Sequence, residues 1–98
     1  MKNSNSIFLS LGSNIGDKES NLIDAVRRIS NFAKIIKISS VYKTEPLLHK
    51  EQDDFFNIVI EIEYQGTARN LLIKIKEIET QMGRKKNFRY GPRLIDID

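Results

Sequence analysis

Residues Phe55 to Tyr64 alternate over ten positions without a break: Phe56, Ile58, Ile60, Ile62 and Tyr64 share one parity, and Phe55, Asn57, Val59, Glu61 and Glu63 the other. Successive side chains of a strand point to opposite faces. The first set is therefore expected to be core. The second is expected to form an open face, with polar and aromatic groups that a ligand could use. This pattern commits the chain to a sheet covered on one side.

Two helical stripes can supply the cover. From about Glu19 to Ala33, the residues Leu22, Val26, Ile29 and Ala33 recur at helical spacing, with Ala25 and Phe32 beside them. Asp17 or Ser20 is placed to cap that helix. Leu71, Ile75, Ile78 and Met82 form the second stripe, with Thr67 as N-cap and Gly83 as stop. Ser6 to Leu11 reads as a buried strand, followed by a turn over Gly12–Asp17 in which Gly12 and Gly16 are turn formers. Ile35 to Thr44 reads as one strand. Glu45 to Asp54 is a polar loop opened by a proline, with His49 facing solvent. Leu94 to Asp98 begins a last strand. The order β-α-β-β-α-β predicts an α+β fold, a ferredoxin-like βαββαβ sandwich. Its antiparallel sheet carries both helices on one face. Residues 1–98 are read as a single domain.

At 98 residues, with 40% apolar and 30% charged positions, the chain has the composition of a soluble globular domain. The absence of cysteine excludes disulfides, thiolate metal sites and a cysteine nucleophile. No signal peptide or membrane-length apolar run is apparent, and a cytoplasmic location is expected.

The chemistry concentrates at the C-terminal end. Asp96 and Asp98 are two apart and alternate with Ile95 and Ile97. A strand would project both carboxylates from one face, with the isoleucines packed behind. Adjacent carboxylates repel unless a cation sits between them. Hard oxygen ligands on a strand suit Mg²⁺, which needs one or two carboxylates plus substrate phosphates. Just before them, Arg84–Arg93 holds five basic residues among ten and no acidic one. Removing these five from the chain's 16 basic residues leaves 11 against 13 acidic, so the positive charge is a local device. Asp-x-Asp on an exposed strand is common, and basic loops are commonly only solvated. The two together are the equipment of phosphoryl-type transfer. A nucleic-acid binder spreads its basic residues over a face or stripe.

Four segments carry a resemblance: Leu11-Gly-Ser-Asn-Ile-Gly-Asp17, Ser40-Val-Tyr-Lys-Thr-Glu-Pro-Leu47, Phe55-Phe-Asn57, and Glu79-Thr-Gln-Met-Gly-Arg84 through Gly91-Pro-Arg-Leu-Ile-Asp-Ile-Asp98. In these the chain resembles the 6-hydroxymethyl-7,8-dihydropterin pyrophosphokinases of folate biosynthesis. That family transfers diphosphate from ATP to the pterin's hydroxymethyl oxygen, releasing AMP. The resemblance implies that Asp96 and Asp98 hold two Mg²⁺ ions with ATP. It makes Arg84, Arg93, Asp96 and Asp98 the catalytic set. Thr44, Pro46, Leu47, Phe55 and Asn57 would bind the pterin, Asn57 through its edge and Phe55 on its ring, where the family commonly has Tyr. Glu79, Arg84, Lys86, Arg89, Tyr90 and Arg93 would face the nucleotide, with Tyr90 standing where Trp is often found. No residue is an obvious general base; Asp98 or metal polarisation of the hydroxyl could serve.

On the residues alone, several of these have plainer readings. Asn57 could sit on a solvated face, Phe55 could be a rim aromatic, and Glu79 could be a surface helix residue or pair with Arg84. Lys85 is read as solvated. Family members also continue past the Asp-x-Asp strand, so the chain is expected to be the N-terminal portion of the enzyme. An exposed sheet edge would then favour oligomers. The alternatives are an inactive fragment that retains ligand or subunit binding, and a ferredoxin-like nucleic-acid-binding module. Glu61, Glu63 and the aspartates on the open face argue against the second. Partners are expected to be ATP and the pterin, without nucleic acid or membrane.

Overall fold

A computed structural model of the chain describes residues 5–45, 53–83 and 95–98. The elements run β1 (Asn5–Ser13), α1 (Lys18–Ile29), β2 (Lys34–Ile38), β3 (Tyr42–Thr44), β4 (Phe55–Tyr64), α2 (Ala68–Gln81) and β5 (Asp96–Ile97). They form an α+β fold around one open antiparallel sheet in the order β2-β4-β1-β5, with β3 also paired to β4. β4 is the axis. It pairs with β1 from Asn5↔Tyr64 to Ser13↔Phe56. On its other side it takes β2 and β3 one after the other.

The alternation of β4 sorts the molecule into two faces. Ile58, Ile60, Ile62 and Tyr64 are buried in one cluster with Leu9 and Leu11 of β1, with Leu22, Ala25 and Ile29 of α1, and with Leu71, Ile75 and Ile78 of α2. Both helices therefore cover the same side of the sheet. Each fully buried isoleucine contributes about 1.5–3 kcal/mol relative to exposure. The other face stays open: Phe55, Asn57, Val59, Glu61 and Glu63 are only partly buried.

β1 is covered on one side rather than on both. Leu9 and Leu11 are core, whereas Phe8, of opposite parity, is 67% exposed. The strand also runs two residues further than expected, so Gly12 and Ser13 belong to it and not to the turn. Gly16, at φ 72°, does make the turn.

Both expected N-caps are in place. Asp17 Oδ1 accepts from Ser20 N at 3.1 Å, and Thr67 Oγ1 accepts from Asn70 N at 3.1 Å. α1 ends at Ile29, short of Ala33. Ser30 Oγ donates to Arg27 O at 2.6 Å, and such a local bond competes with continuation of the helix. Phe32 and Ala33 still pack against the core from the connecting turn. α2 closes at Gly83, whose φ of 91° favours glycine.

The strand expected over Ile35–Thr44 is two strands. Ser39 is the reason. Its N–H donates to Val59 O at 2.9 Å, while its hydroxyl accepts from Val59 N at 2.9 Å. A side-chain oxygen takes the place of a ladder carbonyl, and regular pairing resumes only at Tyr42↔Asn57. Among the described residues, no helix is long and apolar enough to cross a membrane.

Candidate functional site on the open sheet face

Strand register brings the separated segments together. Tyr42 pairs with Asn57, Asn57 with Gly12, and Gly12 with Asp96, so one row crosses four strands. In the next row Val59 pairs with Ser10, and Ser10 and Asp98 exchange two backbone hydrogen bonds of 2.8 Å each. Directly opposed residues share a face. Ile95 and Ile97 lie in the core at 0% and 5% exposure, and Asp98 is exposed on the open side with Ser10. The isoleucines thus pack behind the carboxylate strand as expected. Asn57 and Asp96 are separated only by Gly12 of β1. Two strand spacings amount to about 10 Å, a span suited to a small flat ligand with a phosphate group beyond it.

Asn57 is half-buried rather than merely solvated. Its Nδ2 donates to Thr44 Oγ1 at 2.9 Å and lies 3.3 Å from both Tyr42 O and Phe55 O. Thr44 and Phe55 are themselves a cross-strand pair. Three of the residues expected to meet a pterin, Thr44, Phe55 and Asn57, therefore stand together at the β3–β4 end of the open face.

Gly12 decides how closely they approach β1. A Cβ there would stand 2.9 Å from Asn57 Oδ1 and 3.3 Å from Phe55 Cδ1. The missing side chain is the space that the amide and the ring occupy. Sequence reasoning assigned Gly12 to a turn. Only the register, which places it opposite Asn57, reveals this use.

The residues after Gly12 brace the start of β4. Ser13 is 0% exposed, and its hydroxyl accepts from Asn21 Nδ2 at 3.1 Å. The same Asn21 nitrogen donates to Ile15 O at 2.9 Å. Asn14, 3% exposed, donates to Asp53 O at 3.3 Å. Lys18 Nζ reaches Asp54 O at 2.9 Å and lies 4.8 Å from the centre of the Phe56 ring. Together they tie the β1–α1 turn to the two residues that lead into Phe55. Two polar residues in succession, Ser13 and Asn14, directly after Gly12 are the available sequence signal for this role.

Glu79 is not a surface helix residue. It is 3% exposed, and its Oε2 accepts from Ile97 N at 3.0 Å. Its Oε1 lies 3.6 Å from Lys76 Nζ. Pro46, Leu47, His49, Arg84, Lys85, Lys86, Arg89, Tyr90 and Arg93 lie outside the described residues, as does the side chain of Asp96.

Among the described residues, no group of three or more His, Cys, Asp or Glu side chains converges as a metal cage. Two hard carboxylates at i and i+2 nevertheless fit Mg²⁺ when substrate phosphates complete the shell. A separate apolar hollow of about 220 Å³ is lined by Leu22, Ile23, Val26, Ile38, Val41 and Ile58, with Glu19 and Ser39. Among the described residues that line it there is no cation for a phosphate.

The chain is 40% identical over 92 residues to 2-amino-4-hydroxy-6-hydroxymethyldihydropteridine pyrophosphokinase of Aquifex aeolicus, covering 94% of this chain and 58% of that protein. It is 38% identical over 96 residues to the Bacillus subtilis protein of the same name, with 96% and 58% covered. It also matches the bifunctional protein FolKE of Lactococcus lactis at 38% over 93 residues, covering 93% of this chain and 27% of that protein. The chain thus spans 58% of the length of the first two. Residues 8–98 match the model of one family, and that span holds the register rows, Glu79 and the aspartate strand: the chain belongs to the 7,8-dihydro-6-hydroxymethylpterin-pyrophosphokinase (HPPK) family.

Proposed function

We propose that this chain carries the pterin and metal-phosphate contacts of an enzyme that transfers diphosphate from ATP to the hydroxymethyl group of 6-hydroxymethyl-7,8-dihydropterin, giving AMP. The observation that carries the reading is the shared register row of Asn57, Gly12 and Asp96, with exposed Asp98 in the next row. A flat ligand anchored at Asn57 would direct its substituent across Gly12 toward the carboxylate strand. With β2 and β3 counted as one interrupted strand, the sheet order supports a reading of the fold as ferredoxin-like.

In this reading Asn57, steadied by Thr44, recognises the pterin edge, and Phe55 offers its ring. Asp96 and Asp98 would hold Mg²⁺. Bound there with ATP, the ion would neutralise phosphate charge and favour attack by the hydroxymethyl oxygen. Arg84 and Arg93, with Lys86 and Arg89, would supply guanidinium and ammonium donors to the phosphates. A cytoplasmic location accords with these small-molecule substrates. Glu61 and Glu63 on the same face disfavour a nucleic-acid backbone.

The test is AMP formation by the full-length protein, with and without substitutions. Asn57→Ala should raise the pterin KM by at least about tenfold, the loss of roughly one charged or well-placed hydrogen bond. Asp98→Ala should lower kcat by about a hundredfold or more, as for loss of a principal electrostatic stabiliser. Near-normal turnover in Asp98→Ala would reject the metal assignment.

A further inference from the structure

Glu79 is a buried charge that the proposed chemistry does not use directly. It lies beside the buried stripe Leu71, Ile75 and Ile78, where an apolar side chain would cost nothing in desolvation. At 3% exposure, little of its carboxylate is open to a nucleotide. Its Oε1 is paired with Lys76 Nζ at 3.6 Å, and its other oxygen holds a backbone group of β5. Ser10 and Asp98 exchange both of their backbone hydrogen bonds. In an antiparallel ladder the neighbouring residue, Ile97, then turns its N–H away from β1. β5 is the last strand on that side among the described residues, so this N–H is an edge donor. Glu79 Oε2 accepts it at 3.0 Å. The nitrogen belongs to the peptide joining Asp96 to Ile97, between the two carboxylate-bearing residues.

We propose that Glu79 is a positioning residue. From α2 it clamps the outer edge of β5, while β1 holds the inner edge, and the backbone between Asp96 and Asp98 is fixed from both sides. Metal affinity then depends on a residue that does not touch the metal. This rests on the reading of Asp96 and Asp98 as metal ligands. A carboxylate buried against a backbone donor is costly to place and strong once paired, which makes it a stiff clamp.

The test compares Glu79→Gln, which keeps an acceptor oxygen, with Glu79→Met, which keeps length and loses it. Amide hydrogen exchange at Ile97 is read in the metal-free, full-length protein. Mn²⁺ affinity is read by electron paramagnetic resonance with a non-hydrolysable ATP analogue present. In Glu79→Met we expect Ile97 to exchange at least about tenfold faster and Mn²⁺ to bind about tenfold more weakly, while Glu79→Gln stays within about threefold of the parent on both, as for one buried charge-assisted bond. Pterin affinity should be unchanged in both variants. Equal Ile97 exchange in all three proteins overturns the clamp. Parent-like Mn²⁺ affinity in Glu79→Met overturns the positioning role. If Glu79→Met does not fold, the clamp is read in the parent protein from the scalar coupling between Ile97 N and Glu79 Cδ, and its absence is decisive against it. Asp98→Asn separates the two levels. Unchanged Mn²⁺ affinity in that variant removes the metal assignment itself, whereas faster Ile97 exchange with unchanged Mn²⁺ affinity in Glu79→Met removes only the positioning role.

Discussion

A Cβ built on Gly12 would stand 2.9 Å from Oδ1 of Asn57, closer than a side-chain carbon tolerates. The amide cannot simply swing aside, because its nitrogen is held by Thr44 Oγ1 at 2.9 Å. Gly12→Ala therefore forces either the Asn57 rotamer or the β1–β4 spacing to change. We expect a stability loss of about 1–3 kcal/mol, the usual cost of overpacking. Pterin affinity should fall about tenfold, equivalent to about 1.4 kcal/mol. Calorimetric titration with the pterin checks this, and parent-like affinity in Gly12→Ala would remove the steric role of Gly12.

Thr44 tests orientation separately from packing. It is exposed, so Thr44→Val should change folding stability by no more than about 0.5 kcal/mol. It also removes the closest partner of the Asn57 amide. Pterin binding should weaken by about threefold to tenfold, the worth of one hydrogen bond of about 1 kcal/mol. Urea unfolding beside a binding titration separates the two effects. A fall in stability matched by unchanged binding would contradict the assignment.

Thr67 provides the opposite case. It caps α2 by accepting from Asn70 N, and it is not among the residues of the register rows. Thr67→Ala should cost about 1 kcal/mol of stability. Turnover per folded molecule should stay unchanged at a temperature where both proteins are folded. A changed KM for either substrate would show that α2 carries more than the Glu79 clamp.

Much of this arrangement is legible in the sequence, because it is written in local periods. The parity of Phe55–Tyr64, the stripes of α1 and α2, and the caps Asp17 and Thr67 each depend on neighbours within a few residues. The Ile-Asp alternation at the C-terminal end likewise foretold which side chains pack inward. What escaped depends on contacts between distant segments. Ser39 breaks the second strand only because Val59 offers it both ladder groups. Gly12 matters through the side chains of Asn57 and Phe55 on the adjacent strand. Glu79 reads on the residues alone as a surface helix position or a partner of Arg84, and by resemblance as facing the nucleotide; its bond to the outward N–H of Ile97 depends on a strand distant in sequence. Phe8 read as buried because its strand is apolar, but the sheet is covered on one face only.

In the proposed arrangement the pterin and the metal-phosphate group meet on the open face, with β1 between the strands that anchor them. Paramagnetic relaxation from Mn²⁺ bound with an ATP analogue measures this directly in the isotope-labelled full-length protein. Strong broadening of the backbone amides of Ser10, Gly12 and Asp98 and clear broadening of the Asn57 side-chain amide are expected. Little effect is expected on Ile23 of α1 or on Lys34 of β2. Broadening centred on the helices, with Gly12 and Asn57 unaffected, would contradict this arrangement.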